Sequence, residues 1–377
     1  MIQTDVKLMS SAEKQSLREK NMETIKKFFS AKARTDGGSK YRAGFFTNDG
    51  VKVVRFPIGD YPDYAPPVYP AKELLNNQPD LEKNMDLYGV LWSCEDPDFI
   101  WAQVKITGKL PYECSRNVYH GFCIHNFEMK DGLIAKWETT VSVRPVFDAL
   151  DIEIYNPPVK QSQESTANPD SIANSPEERA RAAKVYFENE PIAEAYTVDP
   201  VIENGLSTRL KVHVEYDDSP EAEELRKKCV KTVQDFFSMR VAEPGGRNWR
   251  AQTLYAKGGV FSIPYENLPD GSLYVTSQEG DQGEPTPSWI HWFNILSPTA
   301  DPKNVWCRVR GAGGKYSTVS GKVAYGFWHE YIFHHLMNDE GKIIITEEFL
   351  DSFYLRRFSE IENPELPEEA KDFFKHI

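Results

Sequence analysis

The chain has 377 residues, enough for two domains of ordinary size, and 40% hydrophobic with 12% aromatic residues lets it bury real cores. Its 44 Lys and Arg stand against 57 Asp and Glu, a net charge of −13, which argues against nucleic acid and against an anionic membrane surface as partners but leaves room for a local basic pocket. Five widely spaced cysteines (Cys94, Cys114, Cys123, Cys229, Cys307) without a C-x-x-C pair read as reduced thiols of a cytoplasmic protein; the N-terminal stretch lacks the apolar core of a signal peptide, and no apolar run approaches the roughly 18–20 residues of a membrane span.

A helix is expected over residues 12–29, with Ile25, Phe28 and Phe29 facing inward. A short helix and loop follow, then strands near 87–93, 99–109, 117–129 and 134–143, the last two joined by a Lys130-Asp131-Gly132 turn. Residues 156–175, rich in Pro, Ser, Asn and Gln, read as a flexible linker. Residues 176–190 carry Glu and Arg at helical spacing after Ser175, a good N-cap, and residues 209–216 alternate like a strand; together they read as an inserted arm. Asp218-Ser219-Pro220 starts a second long helix over 219–239 with Val233, Phe236 and Phe237 inward. Strands near 290–296, 305–311, 324–337 and 343–353 complete the chain, and Gly311-Ala312-Gly313-Gly314 reads as a hairpin turn because no Lys-Ser/Thr pair makes it a phosphate loop.

This order repeats. Thr24 through Ser30 matches Thr232 through Ser238 at an offset of 208, and Tyr41-Arg42-Ala43 matches Trp249-Arg250-Ala251 at the same offset. Gly50-Val51 matches Gly259-Val260, Asp96-Pro97 with Trp101 matches Asp301-Pro302 with Trp306, and Gly132 matches Gly341, with the offset drifting only between 205 and 209. Helices first, then a meander of long strands, is an α+β order. The expectation is two fused cone-shaped domains, each with N-terminal helices packed on a curved antiparallel sheet, spanning 1–158 and 218–377 with the linker and arm at 159–217. The two would form an internal pseudo-dimer, with further homodimerisation left open.

Specific residues now suggest a family. Tyr41-Arg42-x-x-Phe45-Phe46-x-x-Asp49-Gly50-Val51, Asp96-Pro97-x-x-x-Trp101, Ile124-His125-Asn126-Phe127 before Asp131-Gly132-Leu133-Ile134, and Phe147-Asp148-Ala149-Leu150-x-Ile152-x-Ile154 each resemble stretches of the phenazine-biosynthesis A/B proteins. In the second half, Pro287-x-Trp289-x-x-Trp292 is similar to a motif of ketosteroid-isomerase-like and SnoaL-like proteins, and Gly341-Lys342-Ile343 before Glu348-Phe349-Leu350-Asp351 is similar to the phenazine A/B end. The resemblance implies the nuclear transport factor 2-like cone, a small dimeric enzyme without cofactor, and acid/base condensation of aminoketones. It implies a carboxylate on the last strand, carried over to Glu348 with Thr139 in its place in the first half, and an Arg carried over to Arg42 and Arg250. The family's pocket His and Ser have no counterpart in either half.

From the residues alone, alternation puts Ile344, Thr346 and Glu348 on one face of the last strand and Ile343, Ile345, Glu347 and Phe349 on the other, so only one glutamate can enter the cone. A carboxylate in an apolar cavity has a raised pKa and can shuttle protons. His291, between Trp289 and Phe293 on its face, is a second catalytic candidate or a buried structural imidazole. Arg250 and Arg42 are candidate carboxylate anchors or structural ion-pair partners; Trp289, Trp328, His329 and His125 are candidate substrate contacts, with His120, Tyr119 and Tyr325 weaker. His329, His334 and His335 lie on one strand without ligand spacing for a metal. The functional expectation is a cofactor-independent enzyme of secondary metabolism that condenses, isomerises or cyclises a small carboxylated ketone or imine. The alternatives are a non-catalytic binding or scaffold protein of the same fold, and a hydratase or dehydratase acting on a polyketide-like molecule.

Overall fold

The structure is a computed structural model that describes residues 9–55, 67–113, 116–141, 149–150, 175–242, 245–267, 273–278, 290–316 and 323–349. Side chains at 55, 239, 242, 265–267, 273–274, 290–294, 310–316 and 323–330 lie outside the description.

Helix α1 (Ser11–Phe28) opens on a capping box: the Ser10 hydroxyl accepts from the Glu13 N–H, and the Glu13 carboxylate accepts from the Ser10 N–H at 2.8 Å. Its buried stripe, Arg18, Asn21, Met22, Ile25 and Phe28, has helical spacing. A 3-10 turn (Ala31–Arg34) and α2 (Gly38–Ala43) follow, then β1 (Phe46–Arg55), β2 (Val68–Pro70), α3 (Ala71–Asn77) and the meander β3 (Asp86–Ser93), β4 (Phe99–Gly108), β5 (Tyr119–Lys130) and β6 (Leu133–Val141). The second half repeats the plan with α6 (Pro220–Phe236), a 3-10 turn (Met239–Ala242), α7 (Gly246–Leu254), β9 (Tyr255–Asn267), β10 (Leu273–Ser277), β11 (Ile290–Pro298), β12 (Asn304–Tyr316), β13 (Val323–Met337) and β14 (Ile343–Phe349). Strand order is β2-β1-β6-β5-β4-β3 in one half and β10-β9-β14-β13-β12-β11 in the other. Both halves are therefore the expected α+β cone.

Several repeated residues do the same job twice. Thr24 and Thr232 each donate a hydroxyl hydrogen bond at 2.8 Å to the carbonyl of the turn glycine, Gly132 and Gly341, tying helix to hairpin. Gly37-Gly38 and Gly245-Gly246, a further matching pair, start α2 and α7: the first glycine of each is left-handed, and a Cβ on the second would lie 2.2 or 2.1 Å from a backbone oxygen.

Three expectations change in detail. Among the described residues each half has six strands rather than three or four, because β1–β2 and β9–β10 form an extra hairpin-like edge. Within each half the described strands pair antiparallel apart from one parallel pair, β1 with β6 and β9 with β14, where the last meander strand lies beside the first strand of its half. Gly311 to Gly314 is no hairpin turn: these residues pair with His329 to Gly326 inside β12, which runs on to Tyr316. Pairing with β13 along all four, and with β11 at Gly311 and Ala312, holds them extended where local glycine content alone reads as a turn. The linker at 156–174 and the first half's tail at 151–154 lie outside the described residues.

The arm joins the halves. Ser175 caps α4 (Pro176–Asn189), whose Ala182 and Tyr186 pack with Val260, Val275 and Ile345 of the second sheet. After α5 (Ala193–Tyr196), β7 (Val201–Glu203) and β8 (Leu206–His213) extend the first sheet, β8 running parallel to β3.

Helices cover one face of each sheet, and the other faces cover each other. Trp101 and Trp306 stack there, centroids 5.2 Å apart, among Trp92, Ile124, Ile332 and Phe349. Cross-strand register makes Gln103 and Arg308 equivalent, as it does Glu138 and Glu347. Each reaches across: Arg308 donates to Glu138 and, at 3.0 Å, to Asn126, while Gln103 donates to Glu347 at 3.4 Å. Such reciprocity is the mark of an isologous contact. Cys94, Cys123, Cys229 and Cys307 are free, buried thiols.

Removing one partner of a buried charge pair is strongly destabilising. Glu138 keeps Lys136 at 2.8 Å, so Arg308→Met should lower unfolding free energy by about 3 kcal/mol, at the lower end of that range. Arg308→Met with Glu138→Gln should recover part of the loss in urea titrations; strict additivity of the two single variants would show that the pair does not couple.

Candidate active site

The last strand of the second half carries two glutamates with opposite fates. Glu347 faces the other sheet, fully buried, accepting from Tyr186 Oη at 2.8 Å and lying 3.0 Å from His334 Nδ1, whose Nε2 is 2.7 Å from Asn304 Oδ1. Glu190 at the end of α4 feels the same carboxylate: burial, then repulsion by Glu347, pushes it up to about 7. Glu348 faces the helices. Its cross-strand neighbour Phe333 packs edge-on against Phe236 and Phe237 at the end of α6, with centroids 6.1 and 4.9 Å away.

Near the half-buried Glu348 an otherwise aromatic core carries several polar groups. Arg250 of α7 sits 4.4 Å from the Phe236 ring centroid, and Tyr255 and Tyr331 share the field of the Glu348 carboxylate with it. Burial lowers the Arg250 pKa, while Tyr255 and Glu348 support its charge. Burial pushes the Tyr255 phenol up to about 12 and Tyr331 well above its ordinary value, so both stay protonated donors near neutral pH. Thr346 Oγ1 lies 2.7 Å from Tyr255 Oη and 3.2 Å from His335 Nδ1. His335 is wholly buried, its Nε2 has no partner among the described residues, and burial, then His334 and Arg250, hold it well below its ordinary pKa. One carboxylate, one guanidinium, two phenols and a neutral imidazole on the helix-facing side of the second sheet are groups that can take a proton from carbon and hold charge on oxygen.

The first cone differs at the equivalent positions. Thr139 stands where Glu348 does, and Trp137 where Thr346 does. His125 lies 3.1 Å from Thr139 Oγ1, and burial pushes it down to about 3. Arg42 is committed to an ion pair with Glu82 and to the Phe28 carbonyl at 3.2 Å. Burial pushes Glu82 up, but Arg42 and Arg34 outweigh it and the carboxyl stays below its ordinary range. Glu348 and Arg250 thus share one cone; Arg42 and His125 share the other.

Trp289 lies outside the described residues; His291 is in β11 and Trp328 and His329 are in β13, with side chains outside the description. Tyr255, Tyr331, Thr346 and His335 were not singled out as site residues. Strand alternation places Thr346 beside Glu348, and this could have found it; the others need the register between strands. Among the described residues no group of three or more His, Cys, Asp or Glu is placed to hold a metal ion, and no helix is long and apolar enough to cross a membrane.

No family model matches the chain, and comparison with curated proteins returns no match. Solved structures similar to it include a phenazine biosynthesis-related protein from Pseudomonas aeruginosa, 21% identical, covering 38% of this chain and 94% of its own with a TM-score of 0.32. A SnoaL-like polyketide cyclase from Jannaschia is 13% identical over 39% of this chain and 99% of its own, with a TM-score of 0.30. An epoxide hydrolase from M. tuberculosis is 11% identical over 35% and 90%, with a TM-score of 0.26. Each known chain is matched almost whole and spans little more than a third of this one.

His125 and His335 make the fold sensitive to acid. Both are held neutral when folded and titrate near 6.5 when unfolded, so below that pH the unfolded chain binds more protons and stability falls with pH. For His125 the window runs from about 6.5 down to about 3. Urea titrations between pH 7 and 5 should show declining stability, with a shallower slope in His335→Gln; an unchanged slope would mean that His335 charges freely in the folded protein.

Proposed function

We propose that the chain is a cofactor-independent acid/base enzyme of secondary metabolism whose chemistry resides in the second cone. Its substrate is a small ketone or imine carrying a carboxylate. The observation that supports this most directly is Glu348, half-buried on the helix-facing side and sharing its field with Arg250, Tyr255 and Tyr331. In this reading Arg250 anchors the substrate carboxylate and Glu348 removes a proton from the carbon beside the carbonyl. Tyr331 and the His335 ring lend hydrogen bonds to the oxygen on which negative charge develops. Return of the proton elsewhere gives isomerisation; attack of the enol or enamine on a second carbonyl gives condensation or cyclisation. The likeness to a phenazine biosynthesis-related protein and to a polyketide cyclase suits that range of outcomes. The first half acts as the built-in partner of a pseudo-dimer, its sheet backing the sheet that carries Glu348.

Exchange of carbon-bound hydrogen tests this without knowledge of the product. A panel of small keto acids in deuterium oxide, followed by proton NMR, should include members whose α-hydrogen the protein exchanges. Glu348→Gln should slow that exchange by about 10²–10⁴-fold with the fold intact. Arg250→Met should raise KM more than it lowers kcat. Exchange at the parent rate in Glu348→Gln removes the proposed base. Binding of keto acids without any exchange favours a ligand-binding protein instead.

A further inference from the structure

The first cone holds two buried polar groups whose hydrogen-bonding capacity the fold leaves unused. Lys52 of β1 pairs with Trp137 of β6, so both side chains lie on the helix-facing side. Lys52 is 8% exposed, and its Nζ sits 4.1 Å from the Trp137 ring centroid; among the described residues no oxygen accepts a hydrogen bond from it. The fold does not demand an amine there, because the equivalent residue of the second half, opposite Thr346, is Phe261.

His125 completes the pair. The Trp137 indole N–H donates to His125 Nδ1 at 2.9 Å, and an indole nitrogen can only donate. The neutral ring therefore carries its own proton on Nε2, which is buried with no partner among the described residues. One indole thus seats an amine over its face and orients a neutral N–H donor at its edge. The titratable groups in reach are Glu82, already committed to Arg42, and Cys123, which burial pushes up to about 12 and keeps a thiol.

We propose that the first cone is a carbonyl-binding site in which Lys52 forms a Schiff base with a small aldehyde or ketone whose oxygen accepts from His125 Nε2–H. The amine lone pair adds to the carbonyl carbon, forming C–N while the π electrons move to oxygen. Oxygen takes up a proton as nitrogen loses one through solvent, giving a carbinolamine. Loss of water then breaks C–O and leaves C=N; nothing is oxidised or reduced. Burial, with Arg42 also opposing the charge, pushes Lys52 down to about 8. About a tenth of it is then free amine at pH 7, against well under a thousandth for an ordinary lysine. A neutral imidazole polarising a carbonyl has precedent as a catalytic device. Phe28, 4.9 Å from Trp137 and edge-on to it, adds to an aromatic wall suited to a flat carbonyl compound. The site is independent of Glu348.

Benzaldehyde with sodium cyanoborohydride traps any imine as a stable benzylamine. The full chain, treated at pH 7, digested and read by mass spectrometry, should carry the label at Lys52 at least about tenfold faster than at exposed Lys184. Acetic anhydride, which reads amine reactivity without carbonyl recognition, serves as the second probe. His125→Gln should cut benzylation of Lys52 several-fold and leave its acetylation and the labelling of Lys184 unchanged. Glu348→Gln should label Lys52 fully. Benzylation of Lys52 in the parent chain no faster than at Lys184 overturns the proposal, as does a Lys52 that reacts with the anhydride but not the aldehyde. The parent ratio decides even where His125→Gln does not fold.

Discussion

The face-to-face contact of the two sheets is the constraint on which the rest of the molecule depends. A sheet with helices on one side must bury its other side, and here each half supplies the other's cover around the Trp101–Trp306 stack. Charges trapped in that layer need partners, so Glu138 is held by Arg308 and Lys136, and Glu347 by Tyr186, Gln103 and His334. Those anchors fix the last strand of each half. With Glu347 held in the interface, the next residue must point into the cone, since a shift of one residue would exchange the two faces. The orientation of Glu348 is thus a consequence of the contact behind it.

On one backbone plan the two interiors carry different chemistry. Positions that hold Lys52, His125, Trp137 and Thr139 in the first cone hold Phe261, Phe333, Thr346 and Glu348 in the second. Among the described side chains, His125 and His335 lie on the strand before the last of their halves but on different rungs: His335 occupies the place of Phe127. Acid character gathers in the second cone and amine character in the first. The buried carboxylate of the first cone, Glu82, is tied to Arg42.

Much of this was legible in the sequence because the repeated residues have local duties. The helix threonines that tie down hairpin glycines, and the Asp96 and Asp301 carboxylates that accept from backbone N–H groups two residues on at 2.9 and 3.0 Å, leave the same signature twice. Alternation separated Glu347 from Glu348; only the family resemblance said which one enters the cone. What stayed hidden depends on contacts between distant residues. Gln103 meets Glu347 across 244 positions of chain, and nothing local in either segment announces it. Tyr331 and His335 need the register of β13 against β14, and Lys52, in an alternating Val51-Lys52-Val53 run, reads as a solvent-facing residue until β1 is placed beside β6. The arm's helix and strand were recognisable, but that one packs on the second sheet and the other extends the first was not.

Carrying both halves in one chain has a consequence visible at Gln103 and Arg308. In a symmetric assembly of identical chains every substitution enters an isologous contact twice, so an arginine gained at this position would arrive as a pair and carry two cations into one dry layer. Two halves within one chain are free of that restriction: here one site is arginine while its counterpart is an uncharged amide. Once the contact is lopsided, each half fits the other better than it fits itself, and each interior is free to drift along its own path.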